Sequence, residues 1–150
     1  MAGRVTLLWF LLLTVGGGTA IGLATAPGPW YDTLQKPAFN PPPWVFGPVW
    51  TVLYILIAIA GWRIWRVERD GILTKLWFAQ LVVNFAWSPI FFSLHSIGLA
   101  LPVILVLLVL IASFVVMAWR RDPIAAWLFI PYLAWVAFAT LLNASLFALN

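Results

Sequence analysis

The chain is predicted to be an all-α membrane protein, a single bundle of five transmembrane helices with a proline- and tryptophan-rich lid loop between the first two. Three observations lead there. Of the 150 residues, 65% are hydrophobic and only 8% charged, which is more apolar surface than a soluble domain of this size can hide. Five stretches are long enough to cross a bilayer, which takes about 20 apolar residues each. Charges are absent between Arg4 and Asp32, between Lys75 and Arg120, and after Asp122. Backbone groups in lipid must pair within their own segment, so the spans are expected to be helices.

The expected spans are residues 5–26, 44–66, 74–94, 97–119 and 124–149, and a single domain, 1–150, uses the whole chain. The first span resembles a signal peptide, but Thr25-Ala26-Pro27 is a poor cleavage site and the length suits a membrane span, so it is expected to stay in the mature protein. It carries Gly16-Gly17-Gly18, Ala20, Gly22 and Ala24. The Gly18-x-x-x-Gly22 spacing lets another backbone approach closely, whether inside the bundle, at a dimer seam or as a smooth pocket wall. The loop that follows is stiff, because each proline fixes φ and restricts the residue before it. Pro41-Pro42-Pro43 favours polyproline geometry and delivers the chain to the second span at a set angle. Indoles on so stiff a loop present flat apolar faces, as a lid over a pocket would. The remaining links (68–74, 95–96 and 120–123) are short, so consecutive spans should run antiparallel. The fourth span has almost no polar group and is expected to be lipid-facing or a plain structural wall. No internal repeat is visible, which weighs against inverted-repeat transporter folds.

Arg4, Arg63, Arg66, Arg69, Lys75, Arg120 and Arg121 all fall on one side of such a bundle, and only Lys36 on the other. The positive-inside rule then puts the N-terminus in the cytoplasm and the lid loop outside. A bacterial inner membrane is favoured, with the outer membrane the alternative in a Gram-negative host. The arginines flank spans as anchors, and no basic patch points to nucleic acid. The chain has no cysteine, which excludes disulfides and thiolate metal sites.

Eight of the 11 tryptophans, Trp9, Trp30, Trp44, Trp62, Trp65, Trp77, Trp119 and Trp127, lie near span ends, where the interfacial aromatic belt accounts for them. Trp50, Trp87 and Trp135 do not. At 1.5 Å rise per residue, Trp50 and Trp87 fall roughly 10 Å below the lid side and Trp135 roughly 20 Å. Core packing is one reading of each; a shared cavity beneath the aromatic loop is the other. Phe46, Trp50 and Tyr54 share a face of the second span, and Gln80, Asn84, Trp87 or Ser88, and Phe91 a face of the third. Tyr132, Trp135, Ala139 and Leu142 or Asn143 do so on the fifth. Gln80, Asn84 and Asn143 are costly in hydrocarbon and should point inward, either bonding across helices or orienting a ligand. A mostly apolar pocket with a few placed polar groups is the usual small-molecule site.

Acid–base and metal chemistry lack support in the residues. The four acids are Asp32, Glu68, Asp70 and Asp122, none inside the bundle. The single His95 sits in a short link as a solvated loop histidine, and no metal cluster, nucleophile elbow or phosphate loop is present. No ionisable relay runs through the spans, which disfavours a proton-coupled pump.

Three blocks of sequence resemble the TspO/MBR family, the tryptophan-rich sensory proteins and mitochondrial translocator (peripheral-type benzodiazepine receptor) proteins. They are Trp30-Tyr31 through Leu34-Gln35-Lys36-Pro37 and Pro42-Pro43-Trp44-Val45-Phe46-Gly47-Pro48-Val49-Trp50 to Tyr54; Gln80-Leu81, Asn84, Trp87 and Pro89-Ile90-Phe91-Phe92; and Pro131-Tyr132 through Trp135 to Asn143. The resemblance implies a five-helix bundle, usually a homodimer, with a lid-like first loop. It implies a pocket for porphyrins such as protoporphyrin IX and haem-type tetrapyrroles, for isoquinoline and benzodiazepine ligands, and in some members for sterols. Carried onto this chain, that pocket comprises Ala20, Leu23, Phe46, Trp50, Asn84, Trp87, Phe91, Trp135, Ala139 and Leu142, with Trp30 as roof. Tyr54, Gln80 and Phe138 join it as candidate ligand-binding residues.

Some bacterial relatives break down protoporphyrin using light and oxygen, which would make Trp50 and Trp135 the catalytic pair. The porphyrin is then the photosensitiser and an electron-rich indole is oxidised nearby. No obligatory cofactor and no metal are implied. The chain departs from mammalian members at Leu99, where they carry another pocket tryptophan, so the slot is expected to be looser there. The C-terminal segment 143–150 lacks the tyrosine and basic residue of the sterol motif, and specific cholesterol binding is not expected. Lys75 and Trp77 interrupt the small-residue motif that forms the dimer seam of relatives.

The expected function is therefore a membrane receptor or regulator binding a porphyrin or other flat hydrophobic molecule. The alternatives are a light- and oxygen-dependent porphyrin-degrading enzyme, a tetrapyrrole or sterol transporter, and a structural partner protein with a vestigial pocket.

Overall fold

A computed structural model describes residues 2–150. Among these, five helices are long and apolar enough to cross a membrane: Gly3–Ala24, Pro43–Val67, Ile72–Ser93, Ile97–Arg121 and Pro123–Leu149. They are the first to fifth helices below. Around the bundle the order is first, second, fifth, fourth, third, and the ring closes where the lid-side end of the first helix meets the third.

Local chemistry sets the helix ends. Pro43 opens a short 3-10 turn that leads into the second helix, and Glu68, whose backbone leaves the helical region, ends it. Ser96 caps the fourth helix by accepting from the Leu99 amide at 3.2 Å. Asp122 caps the fifth through the Ile124 amide at 3.1 Å, with Pro123 at the first helical position, where a missing N–H costs nothing. Two π-helical segments interrupt the ladders, Leu12–Gly16 in the first helix and Pro89–Ser93 in the third. The first lets Thr14 donate from Oγ1 to the Tyr54 carbonyl at 2.8 Å, fastening the first helix to the second. Gly18 leaves room for the Tyr54 ring, whereas Gly22 has nothing within van der Waals reach. The small-residue spacing thus works inside the bundle at Gly18.

The fourth helix is a structural wall. Ile104, Leu107, Ile111, Phe114 and Ala118 are buried at helical spacing and pair with Ala125, Ala126, Phe129, Tyr132 and Val136 of the fifth. Phe114 and Phe129 approach to 4.1 Å between ring centroids. Its other face, with Leu105, Val106, Val109 and Val116, is exposed.

Trp77 is not a belt residue. It is 1% exposed and donates from Nε1 to the Ile57 carbonyl at 2.9 Å, its indole filling the space that a side chain at Gly61 would take. The third helix starts at Ile72, which carries Trp77 deeper than its closeness to Lys75 suggests.

On the basic side, Arg63 grips Asp122 through two bonds of 2.8 and 3.2 Å, and Arg121 meets Glu68 at 3.0 Å. Asp122 thereby serves as helix cap and counter-ion at once. Replacing it with alanine is expected to lower stability by about 1–2 kcal/mol. Thermal melting of the detergent-purified variant checks this, and Glu68→Ala, whose partner Arg121 is exposed, should cost less.

Candidate ligand slot

Aromatic side chains of the second and fifth helices meet in two groups, one above the other. Phe46 meets Trp135 edge-on at 5.8 Å, Trp135 meets Phe138 at 5.7 Å, and Phe39 of the lid reaches Phe138 at 6.2 Å. Trp50 stacks on Tyr54 at 5.4 Å and points an edge at Tyr132, 6.4 Å away. Ala139 packs half-buried beside this group.

Trp135 is shallower than its position in the span suggests. Contact with Phe46, in the first α-helical turn of the second helix, sets it at that level and above Trp50. The fifth helix runs on past the start of the second, and beyond its end Asn150 clasps the lid, donating to the Gln35 carbonyl at 2.9 Å and accepting from the Gln35 amide at 3.0 Å.

Below the rings lies a closed polar network. Tyr54 donates to Asn84 Oδ1 at 2.9 Å, Asn84 Nδ2 donates to the Tyr132 hydroxyl at 2.7 Å, and Tyr132 donates to Gln80 Oε1 at 2.7 Å. Gln80 Nε2 then reaches the Trp77 carbonyl at 2.8 Å. A second amide, Asn143, accepts from Trp87 Nε1 at 3.0 Å and donates to the Ile97 carbonyl at 3.1 Å. Each amide thus uses both its oxygen and its nitrogen on protein partners, joining the second, third and fifth helices or the third, fourth and fifth. Two indole N–H groups, those of Trp135 beside these rings and of Trp62 near the basic end of the second helix, are buried without a hydrogen-bond partner.

Trp87, Phe91 and Trp30 form a neighbouring group. Trp87 and Phe91 lie 5.1 Å apart, and Trp30 meets Phe91 edge-on at 5.9 Å. Trp30 also stacks flat on His95 at 4.4 Å, so this exposed histidine, with its φ of +54°, is part of the lid seat. Lys36 ties the lid together, bonding the Tyr31 carbonyl at 2.9 Å and lying 4.6 Å over the Tyr31 ring. Burial pushes the Tyr31 phenol above its ordinary pKa, and the neighbouring Asp32 charge adds to the rise.

The sequence-derived candidates therefore sort into three sets. Phe46, Trp50, Tyr54, Trp135, Phe138 and Ala139 come together, with Gln80 and Asn84 beneath them. Trp30, Trp87 and Phe91 gather under the lid, and Leu142 is buried on the fifth helix. Ala20 and Leu23 are exposed, Leu23 at 78%, and Leu99 is exposed as well. Tyr132, absent from the candidate list, is the hub of the network. Its place one helical turn before Trp135, on the same stripe, was the available signal. Among the described residues no group of three His, Asp or Glu side chains could hold a metal.

Five membrane-spanning helices, with a lid loop on one side and basic anchors on the other, define a multi-pass membrane protein. The chain belongs to the TspO/MBR family, whose model matches residues 10–149. It is 38% identical over 146 residues to the tryptophan-rich sensory protein of Cereibacter sphaeroides, covering 95% of this chain and 92% of that one. Identity to the human translocator protein is 40% over 119 residues, covering 76% and 70%. The tryptophan-rich protein TspO of Archaeoglobus fulgidus is 35% identical over 141 residues, covering 93% and 92%.

Proposed function

We propose that this chain is a membrane receptor or regulator that binds porphyrins, such as protoporphyrin IX or haem-type tetrapyrroles, and isoquinoline or benzodiazepine ligands between its second and fifth helices. The observation that carries the reading is the unpartnered Trp135 Nε1–H. A buried donor without a partner costs about 1–3 kcal/mol. A flat molecule with an acceptor at its edge would remove that penalty while covering the faces of Trp50, Phe46 and Phe138. The amides beneath, Gln80 and Asn84, joined through the Tyr132 hydroxyl, would hold the rings in place.

A specific observation also favours the enzymatic reading. Trp50 is in ring contact with two phenols, Tyr54 and Tyr132, so an indole oxidised beside an excited porphyrin would have oxidisable neighbours. The proposal includes a homodimer and an N-terminus facing the cytoplasm of a bacterial inner membrane, in keeping with the one-sided basic charge.

Competition tests the shared slot. An isoquinoline carboxamide should displace protoporphyrin IX from the purified protein in the dark, at one molecule per chain. Simultaneous binding of both would separate the two ligand classes and remove the single-slot reading.

A further inference from the structure

We propose that the groove between the first, second and third helices, on the basic side, holds one phospholipid with an anionic headgroup. Thr6, Trp9, Phe10, Leu13, Trp65 and Phe78 line this groove of about 420 Å³. Phe10, Trp65 and Phe78, one ring from each helix, meet at 6.1–6.3 Å and form its floor. Trp9, 66% exposed, and Leu13 form the rim. The shape and lining suit an acyl chain.

The charges select the headgroup. The Arg69 guanidinium lies 4.8 Å over the Trp65 ring, which holds a cation at the end of the groove. Lys75 precedes Phe78 by one turn on the same helix face. On this side Glu68 and Asp122 are taken by Arg121 and Arg63. Among the described residues, Arg4, Arg66, Arg69, Lys75 and Arg120 are then left without an ion pair, facing only Asp70. The first helix also has the least cover: 11% of its span is buried, against 28–33% in the others. A second copy docked here through its own groove would bring the same cations to the same place and be repelled, which leaves the homodimer contact to another face. A phosphate whose charge is not cancelled within its own headgroup would be attracted, and an acyl chain from the same molecule would cover the rings.

Phosphatidylglycerol and phosphatidylcholine with matched oleoyl chains separate headgroup from chain. Delipidated protein in detergent is titrated with each and retained lipid is counted by native mass spectrometry. One phosphatidylglycerol per chain should be retained, preferred more than tenfold over phosphatidylcholine. Arg69→Gln and Lys75→Gln should each cut that preference about fivefold, since a basic residue near an anionic lipid surface contributes about a factor of that size. Leu13→Trp, which fills the groove without touching charge, should reduce retention of both lipids. Equal retention of the two lipids, or Leu13→Trp protein that retains phosphatidylglycerol as wild type does, would overturn the proposal. Melting temperatures within the wild-type range confirm that each variant is folded.

Discussion

Trp135→Phe is expected to weaken protoporphyrin IX binding by about tenfold and, at the same time, to leave the free protein as stable as wild type or slightly more so. The two effects have one origin. The indole N–H is buried without a partner, so the unliganded protein bears a desolvation penalty of about 1–3 kcal/mol that phenylalanine removes. The same N–H is the donor that a bound porphyrin would satisfy, so its removal takes away one ligand hydrogen bond while keeping an aromatic face against Phe46 and Phe138. A substitution that merely loosened the packing would lower stability and affinity together. Fluorescence titration alongside thermal melting therefore distinguishes a ligand-facing indole from a packing one. The converse substitution in the network below, Tyr132→Phe, should lower stability, because it strands Gln80 Oε1 and Asn84 Nδ2 at once.

The largest loss of stability is expected at Trp77. In lipid, burying apolar surface between helices gives no transfer gain, so association depends on close packing and hydrogen bonds. Trp77 supplies both: it fills the space above Gly61, touches Phe10 at 4.9 Å and donates to the Ile57 carbonyl. Trp77→Ala leaves an indole-sized void where the first, second and third helices meet. The cavity and the lost bond together should cost about 3 kcal/mol. Gly61→Leu should cost at least as much from the opposite side, because the new side chain would occupy the ring's own position. Denaturant or thermal unfolding in detergent, followed by helical circular dichroism, measures both. Trp119→Ala, on an exposed residue beside Trp127, is the control and should shift stability little.

These two residues also mark where the sequence was legible and where it was not. Charge-free stretches placed the spans, because ionised side chains in hydrocarbon are too costly to scatter. The spacing of Gln80 and Asn84 marked them as inward-facing for the same reason, and the shared face of Phe46, Trp50 and Tyr54 followed from helical geometry. Trp77 could not be read this way. Its burial depends on a glycine in another helix and on how early the third helix begins, and neither is a local property. The depth of Trp135 failed on a similar point: counting residues along a span gives depth only if the helices end level, and the fifth runs past the start of the second to reach Gln35 through Asn150. The stripe placed Tyr132 on the inward face of the fifth helix, but its bonds to Gln80 and Asn84, like the stacking of Trp30 on His95, join residues far apart in sequence and leave no local pattern.

The central claim is that Trp50 and Trp135 form a porphyrin site. It is tested most directly by titrating protoporphyrin IX in the dark into detergent-purified wild-type protein and into the Trp50→Ala/Trp135→Ala double variant. Binding would be read from the porphyrin's own absorbance, so that the loss of two indoles does not alter the signal. The account predicts saturable binding of one porphyrin per wild-type chain and at least 100-fold weaker binding to the folded double variant, about the effect of removing two aromatic hot spots. Equal affinity for both proteins, or no saturable binding to the wild type, would contradict it.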